Sequence, residues 1–114
     1  MDNRKKAYVI QILRRASYKW KPRYQVLVKS RVGRGQYKCN ICSSIVGRKD
    51  IQMDHVNPVI PTTGWPGWEE YIDRLLADNE SDWQAICRTC HDIKTKEENG
   101  ERSANKKKSK KKTT

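Results

Sequence analysis

Two Cys-x-x-Cys pairs constrain this chain more than any other feature of its sequence. Each pair, Cys39-Asn40-Ile41-Cys42 and Cys87-Arg88-Thr89-Cys90, places two thiols on one tight turn. Two such turns can close a tetrahedral zinc site, so we expect structural Zn²⁺ held by Cys39, Cys42, Cys87 and Cys90. The metal would join two distant parts of the chain, and its binding free energy would become folding free energy. Two redox pairs or four buried thiols are the alternatives.

The charge balance indicates the kind of partner. The 114 residues include 25 Lys and Arg against 13 Asp and Glu, giving a net charge of +12. This excess predicts a polyanionic partner, either nucleic acid or an anionic membrane surface. The chain has no apolar run long enough to span a bilayer, and its start lacks a signal-peptide cleavage site. We therefore expect an intracellular protein, where disulfides are uncommon, and a monomer.

Hydrophobic spacing predicts four helices. They run over residues 1–17, over Pro22–Arg31, from Trp68 onwards, and from the second Cys pair to about Gly100. A strand over Tyr24–Lys29 is the alternative to the second helix, because β-branched residues are frequent there.

Two short strands are predicted beside the cysteines, one from Ile51 to Val56 and one ending at Cys87. The chain then divides into a basic helical extension (1–35), a core (36–100) and a Lys-rich tail (101–114). The tail has nothing to bury, so we expect it to be disordered.

The only two histidines of the chain both adjoin this predicted metal site. His55 follows Asp54 on the strand after the first Cys pair, and His91 follows Cys90 directly. A shared zinc would bring the two histidines close together. Neighbours on a regular strand point to opposite faces, so a bend near Asn57-Pro58 would be needed for Asp54 and His55 to serve one site.

Three segments together resemble the HNH endonuclease family, the ββα-metal or His-Me finger nucleases, in the zinc-knuckle form common in phages. The segments are YKCNIC, IQMDHVNPV and DWQAICRTCHDIKTKEEN, and the resemblance extends from about Tyr37 to Glu98. It implies an α+β fold: a small ββα-metal core with a four-cysteine zinc site and flanking helices.

The resemblance also implies roles for individual residues. His55 would be the general base that takes a proton from the attacking water, a role that suits a side chain with a pKa near 6.5. Asp54 and His91 would bind one divalent catalytic ion, Mg²⁺, Mn²⁺ or Ni²⁺. Asp82 stands where the family has its central Asn, and Asn79 is the alternative for that role.

Two functions follow as expectations. The first is a metal-dependent endonuclease that hydrolyses DNA phosphodiester bonds in packaging, homing or DNA degradation. It would be encoded by a phage or mobile element, and a partner such as a terminase could supply specificity. The second is a catalytically inactive zinc-finger module that binds nucleic acid. Such a module shares the four-cysteine site and the basic surface but has no need for Asp54, His55 and His91 together.

Basic residues cluster on the N-terminal extension and near the second Cys pair. Those expected to contact the nucleic-acid backbone are Lys5, Arg14, Arg15, Lys19, Lys21, Arg23, Arg34 and Lys94. Of the interleaved aromatics Tyr18, Trp20 and Tyr24, we expect about two to pack in the core.

Overall fold

Four α-helices organise the part of the chain that the computed structural model describes, the backbone from Asp2 to Lys112 and the side chains from Asp2 to Lys106. The helices are α1 (Asn3–Ser17), α2 (Lys21–Ser30), α3 (Trp68–Leu75) and α4 (Arg88–Lys112). The Asp2 side chain caps α1 by accepting a hydrogen bond from the Arg4 amide at 2.7 Å. Pro22 lies in the first turn of α2, where its missing N–H costs nothing. The helix prediction for this segment is confirmed, and the strand alternative is wrong.

The strands form two antiparallel sheets. One sheet has the order β1-β2-β3, and the other pairs β4 with β5. Their bounds are β1 (Arg31–Gly33), β2 (Gln36–Lys38), β3 (Ile45–Val46), β4 (Ile51–His55) and β5 (Trp83–Cys87). The two strands predicted beside the cysteines are thus confirmed, and the described residues form a small α+β domain. The hairpin of β1 and β2 was not predicted from the sequence.

The core is centred on β5 and on one face of α3. Its buried hydrophobic residues are Cys39, Ile51, Tyr71, Leu75, Trp83, Ala85, Ile86 and Cys87. Four of the five residues of β5 are buried, as expected of a strand covered on both faces. Helix α3 presents Tyr71 and Leu75, one turn apart, to the same core. The core is small, so additional links between its parts matter for stability.

One carbonyl group ties three segments together. The indole Nε1 atoms of Trp20 and Trp83 both donate to the Ala77 carbonyl, at 2.8 and 3.0 Å. Trp20 precedes α2, Trp83 begins β5, and Ala77 follows α3. The N-terminal helices are therefore fixed to the core. Of the three interleaved aromatics only Trp20 is half-buried, whereas Tyr18 and Tyr24 are exposed; the expectation that about two would pack is wrong.

Asn40 forms two hydrogen bonds with the backbone of β5, as a residue of a neighbouring strand would. Its backbone amide donates to the Ala85 carbonyl at 2.8 Å, and its side-chain Oδ1 accepts from the Ala85 amide at 2.6 Å. A single residue thus satisfies both backbone groups of Ala85, which is fully buried. Because Asn40 lies between Cys39 and Cys42, the pair of bonds also fixes the first Cys turn against the core.

Helix α4 continues past the predicted end near Gly100 and runs through Lys112. Two side chains of the predicted tail contact the 60–62 segment. Arg102 Nη2 donates to the Ile60 carbonyl and Asn105 Nδ2 to the Thr62 carbonyl, both at 3.0 Å. The prediction of disorder from Glu101 is therefore wrong for the described residues, because it considered composition and not these contacts. Residues 113–114 and the lysine side chains beyond Lys106 lie outside the described residues.

We expect Asn40→Ala to lower the free energy of unfolding of the zinc-loaded protein by about 1–3 kcal/mol, because it leaves the buried Ala85 amide without an acceptor. Asn40→Asp is the matched control, since a carboxylate oxygen can still accept that bond. Urea titration followed by circular dichroism would measure both variants. Equal stability of Asn40→Ala and the wild type would show that the bond contributes nothing.

Candidate functional site

The four cysteine sulfurs lie together. All four Sγ atoms are within 4.8 Å of one another, and Cys42 Sγ is 3.7 Å from Cys87 Sγ. A tetrahedral zinc site with Zn–S bonds of about 2.3 Å would place its sulfurs about 3.8 Å apart. The predicted convergence of the two Cys pairs is confirmed, and the cluster fits a structural zinc.

The first Cys turn is shaped to hold thiolates. The amides of Ile41 and Cys42 approach Cys39 Sγ at 3.4 and 3.5 Å. Burial raises the pKa of Cys39, but hydrogen bonds from the backbone of Cys42, Cys87 and Ile41 outweigh it and the pKa is lowered. Hydrogen bonding with Ser44 lowers the pKa of Cys42 to about 6. Burial and the neighbouring thiols raise the pKa of Cys90 to about 12.

His55 ends β4 and has one ring nitrogen already engaged. Its Nε2 lies 3.0 Å from the Leu75 carbonyl at the end of α3. Because a carbonyl can only accept, Nε2 carries the proton and Nδ1 carries the lone pair of the neutral ring. The ring also packs on Trp83, with centroids 4.0 Å apart. Burial lowers the pKa of His55, although Leu75 and Asp54 partly oppose the shift, so the ring is neutral at neutral pH.

Asp54 lies beside His55 and is engaged in an ion pair. Its Oδ2 lies 3.1 Å from Lys94 Nζ and accepts a hydrogen bond from Gln84 Nε2 at 3.0 Å. Gln84 is the residue paired with Asp54 across the two strands. Lys94 also contacts Glu98, one turn further along α4. The Lys94 ammonium is thus shared between two largely buried carboxylates.

One cavity of about 550 Å³ brings the predicted catalytic residues together. His55, Asp54 and His91 all line it, although the pairing of β4 with β5 stays in register through His55. The strand itself is regular, and the chain bends directly after it, at Val56 and Asn57, close to the position where the sequence predicted a bend. His55 is the last strand residue, and it also borders a second cavity of about 330 Å³. His91 is partly exposed, with its Nδ1 4.0 Å from the Asp92 carboxylate.

The predicted nucleic-acid contacts fall into two groups. Three of them, Arg14, Arg23 and Lys94, line the cavity with His55. The other five lie outside its lining: Lys5, Arg15, Lys19, Lys21 and Arg34. Arg23 is held in place by its Nη1 donating to the Tyr18 carbonyl at 3.2 Å and by its position 4.6 Å from the centre of the Tyr18 ring. The extension therefore contributes to the cavity wall.

Asp82 contacts the segment just after His55 through its backbone. The Asp82 carbonyl accepts a hydrogen bond from the Val56 amide at 2.9 Å, so its backbone fixes the chain just after His55. Asp82 and Asn79 both line the second cavity beside His55. Asn79 precedes the 3₁₀ turn Glu80–Asp82 without capping it through its side chain. Both candidates for the family position therefore adjoin His55.

Three residues at or beside the cavity were not identified from the sequence. Glu98 and Arg102 line the cavity, and Gln84 lies beside it and donates a hydrogen bond to Asp54. Helical spacing from His91 leads through Lys94 to Glu98 and Arg102, so extending the helix would have found the last two. Gln84 could be found only from the strand register, which the sequence did not define.

None of the helices in the described part of the chain is long and apolar enough to cross a membrane. A comparison with protein-family models, with curated proteins and with solved structures found no match to this chain. The HNH interpretation therefore depends on the motifs and on the arrangement of the residues themselves.

We expect the purified protein to bind one zinc ion per chain and to lose its cooperative unfolding transition when a chelator removes the ion. Cys42→Ser should lose zinc and the folded core, whereas Ser44→Ala, in the same turn, should keep both. Metal analysis and thermal unfolding would measure this. A folded, zinc-free Cys42→Ser protein would contradict the structural role.

The tautomer and pKa of His55 can be measured by ¹⁵N nuclear magnetic resonance of the zinc-loaded protein. At neutral pH we expect protonated Nε2 and unprotonated Nδ1. The ring should become charged only as the pH falls below the ordinary value of 6.5, because burial disfavours the charged form. His91, which is partly exposed, gives a second histidine signal for comparison. A His55 midpoint above 6.5 would contradict the assignment.

Proposed function

We propose that this chain is a metal-dependent endonuclease of the HNH type that hydrolyses DNA phosphodiester bonds. The observation that supports this most is the single cavity lined by His55, Asp54 and His91 together with four cationic side chains. Phosphodiester hydrolysis needs a base for the attacking water and positive charge at the phosphoryl group. One cavity contains side chains for both needs.

His55 is the proposed general base. Its Nε2–H is bonded to the Leu75 carbonyl, which leaves Nδ1 as the atom that accepts a proton from water. Contact with Trp83 restricts the ring, so its lone pair keeps one direction. The lowered pKa keeps the ring in the neutral form that a base requires.

Asp54 and His91 are the proposed ligands of a divalent ion. A carboxylate and an imidazole suit Mg²⁺, Mn²⁺ or Ni²⁺, and both side chains line the cavity. Asp54 also attracts a cation, since it lies against the Lys94 ammonium. When bound, such an ion stabilises negative charge on the phosphoryl group and on the leaving oxygen.

The charged lining of the cavity favours a phosphate substrate. Its cationic side chains are Arg14, Arg23, Lys94 and Arg102, against the carboxylates of Asp54 and Glu98. Arginine matches phosphate oxygens with paired N–H donors. The basic residues of the extension outside the cavity would add salt-sensitive contacts to the DNA backbone. Such contacts carry no sequence information, so we propose that a partner such as a phage terminase supplies specificity.

A catalytically inactive nucleic-acid-binding zinc module is the second candidate. The observation that favours it is the ion pair of Asp54 and Lys94, which engages the proposed metal ligand. Such a module would bind DNA and leave it intact.

A supercoiled-plasmid assay with added Mg²⁺, Mn²⁺ or Ni²⁺ tests the two candidates. We expect nicking that EDTA stops, and a decrease of about 10²- to 10⁴-fold in His55→Ala, the range typical of a lost general base. Lys96→Met, on the exposed side of α4, is the control and should cut like the wild type. DNA binding without nicking in all three metals would favour the inactive module. Equal rates for His55→Ala and the wild type would refute the base assignment.

A further inference from the structure

Among the described residues, Lys94 is the only lysine that lines the 550 Å³ cavity beside His55, and it is less exposed than a typical surface lysine. Its side chain is 19% exposed and lies between the carboxylates of Asp54 and Glu98, which are 16% and 20% exposed. Ion pairs this far from solvent are screened less than surface pairs. The charge of the Lys94 ammonium therefore acts within the cavity and not on the outer surface of α4.

The proposed divalent ion and the Lys94 ammonium would use the same carboxylate. Lys94 Nζ lies 3.1 Å from Asp54 Oδ2, and Gln84 donates to that same oxygen. An ion bound at Asp54 would stand within a few ångströms of the ammonium, whichever carboxylate oxygen it used. Like charges at that separation repel strongly where, as here, the side chains involved are largely buried.

Glu98 gives the ammonium a second partner on its own helix. It lies one helical turn after Lys94 and contacts the same Nζ. A small rotation of the Lys94 side chain could break the contact with Asp54 and keep the contact with Glu98. The ammonium would not have to cross the cavity or lose all its partners when a metal arrives.

We propose that Lys94 is a resident cation on Asp54 that a divalent metal must displace, and that Glu98 retains it after displacement. Lys94 is then a positioning residue that sets the metal affinity of the site. This inference rests on the proposed function only in taking Asp54 as a metal ligand. It adds Lys94 as a competitor of the metal for Asp54, and Glu98 as the partner of the displaced ammonium; the motif specifies neither role.

Manganese binding to the zinc-loaded full chain tests the competition, with free Mn²⁺ measured by electron paramagnetic resonance. Mn²⁺ is chosen because thiolate sites prefer zinc. We expect Lys94→Met to bind Mn²⁺ at least about tenfold more tightly than the wild type, because a nearby positive charge has been removed. Lys96→Met, an equal charge change at an exposed position of α4, should bind within about twofold of the wild type.

Glu98→Gln tests whether Glu98 retains the Lys94 ammonium after the metal displaces it. It should weaken Mn²⁺ binding in the wild-type background, because the displaced ammonium loses its partner. In the Lys94→Met background the same change should have a much smaller effect, so the two substitutions should couple in a double-mutant cycle. An equal loss in both backgrounds would mean that Glu98 acts on the metal directly, and its role as acceptor would be wrong.

Two possible results of the Mn²⁺ experiment distinguish failure of this inference from failure of the proposed function. Mn²⁺ binding that Asp54→Asn abolishes, but that Lys94→Met leaves unchanged or weakens, would overturn the competition and leave the metal site standing. Absence of binding that depends on Asp54 in every variant, Lys94→Met included, would overturn both. If Lys94→Met folds poorly, Lys94→Gln keeps a hydrogen-bond donor without the charge. The Mn²⁺-dependent rise in its melting temperature should then exceed that of the wild type.

Discussion

The convergence of the two Cys turns is the interaction on which the rest of this domain depends. Cys87 is both a member of the sulfur cluster and the last residue of β5, where it pairs with Ile51 at the start of β4. From that pair the strand ladder leads without interruption to Asp54 opposite Gln84 and to His55 opposite Trp83. A slip of one residue would exchange the faces of Asp54 and His55. The sulfur cluster thus holds the end of β5 from which the strand ladder to the proposed site begins.

The same cluster sets the beginning of α4, since Cys90 lies in its first turn and His91 follows. One face of α4 then carries Lys94, Glu98 and Arg102 along the cavity. An ionisable pair near the end of a strand is stable here because its members have defined partners. Asp54 has an ammonium and an amide, and His55 has a backbone carbonyl.

Much of this arrangement could be predicted, and the parts that could not share a physical reason. Cysteine spacing predicted the cluster, and apolar spacing predicted α1, β4 and β5, because these signals are local. The length of α4 was missed because Arg102 and Asn105 are held by carbonyls of a distant loop. The pairing of Lys94 with Asp54 depends on how a helix packs against a strand, which residue spacing along one chain segment does not encode. Endonuclease activity and the roles of His55, Asp54 and His91 stay predictions.

The Ala77 carbonyl shared by Trp20 and Trp83 has a consequence for modularity. From the sequence, residues 1–35 look like a separate extension, since the segments that resemble the HNH family begin only after them. Yet Trp20 occupies a hydrogen bond at the end of α3, next to the Leu75 carbonyl that orients His55, and Arg14 and Arg23 complete the cavity wall. The motif-bearing segment is therefore not a transplantable unit. Grafting it onto another scaffold, or exchanging its N-terminal helices with those of a different protein, would have to carry Trp20 and both arginines along.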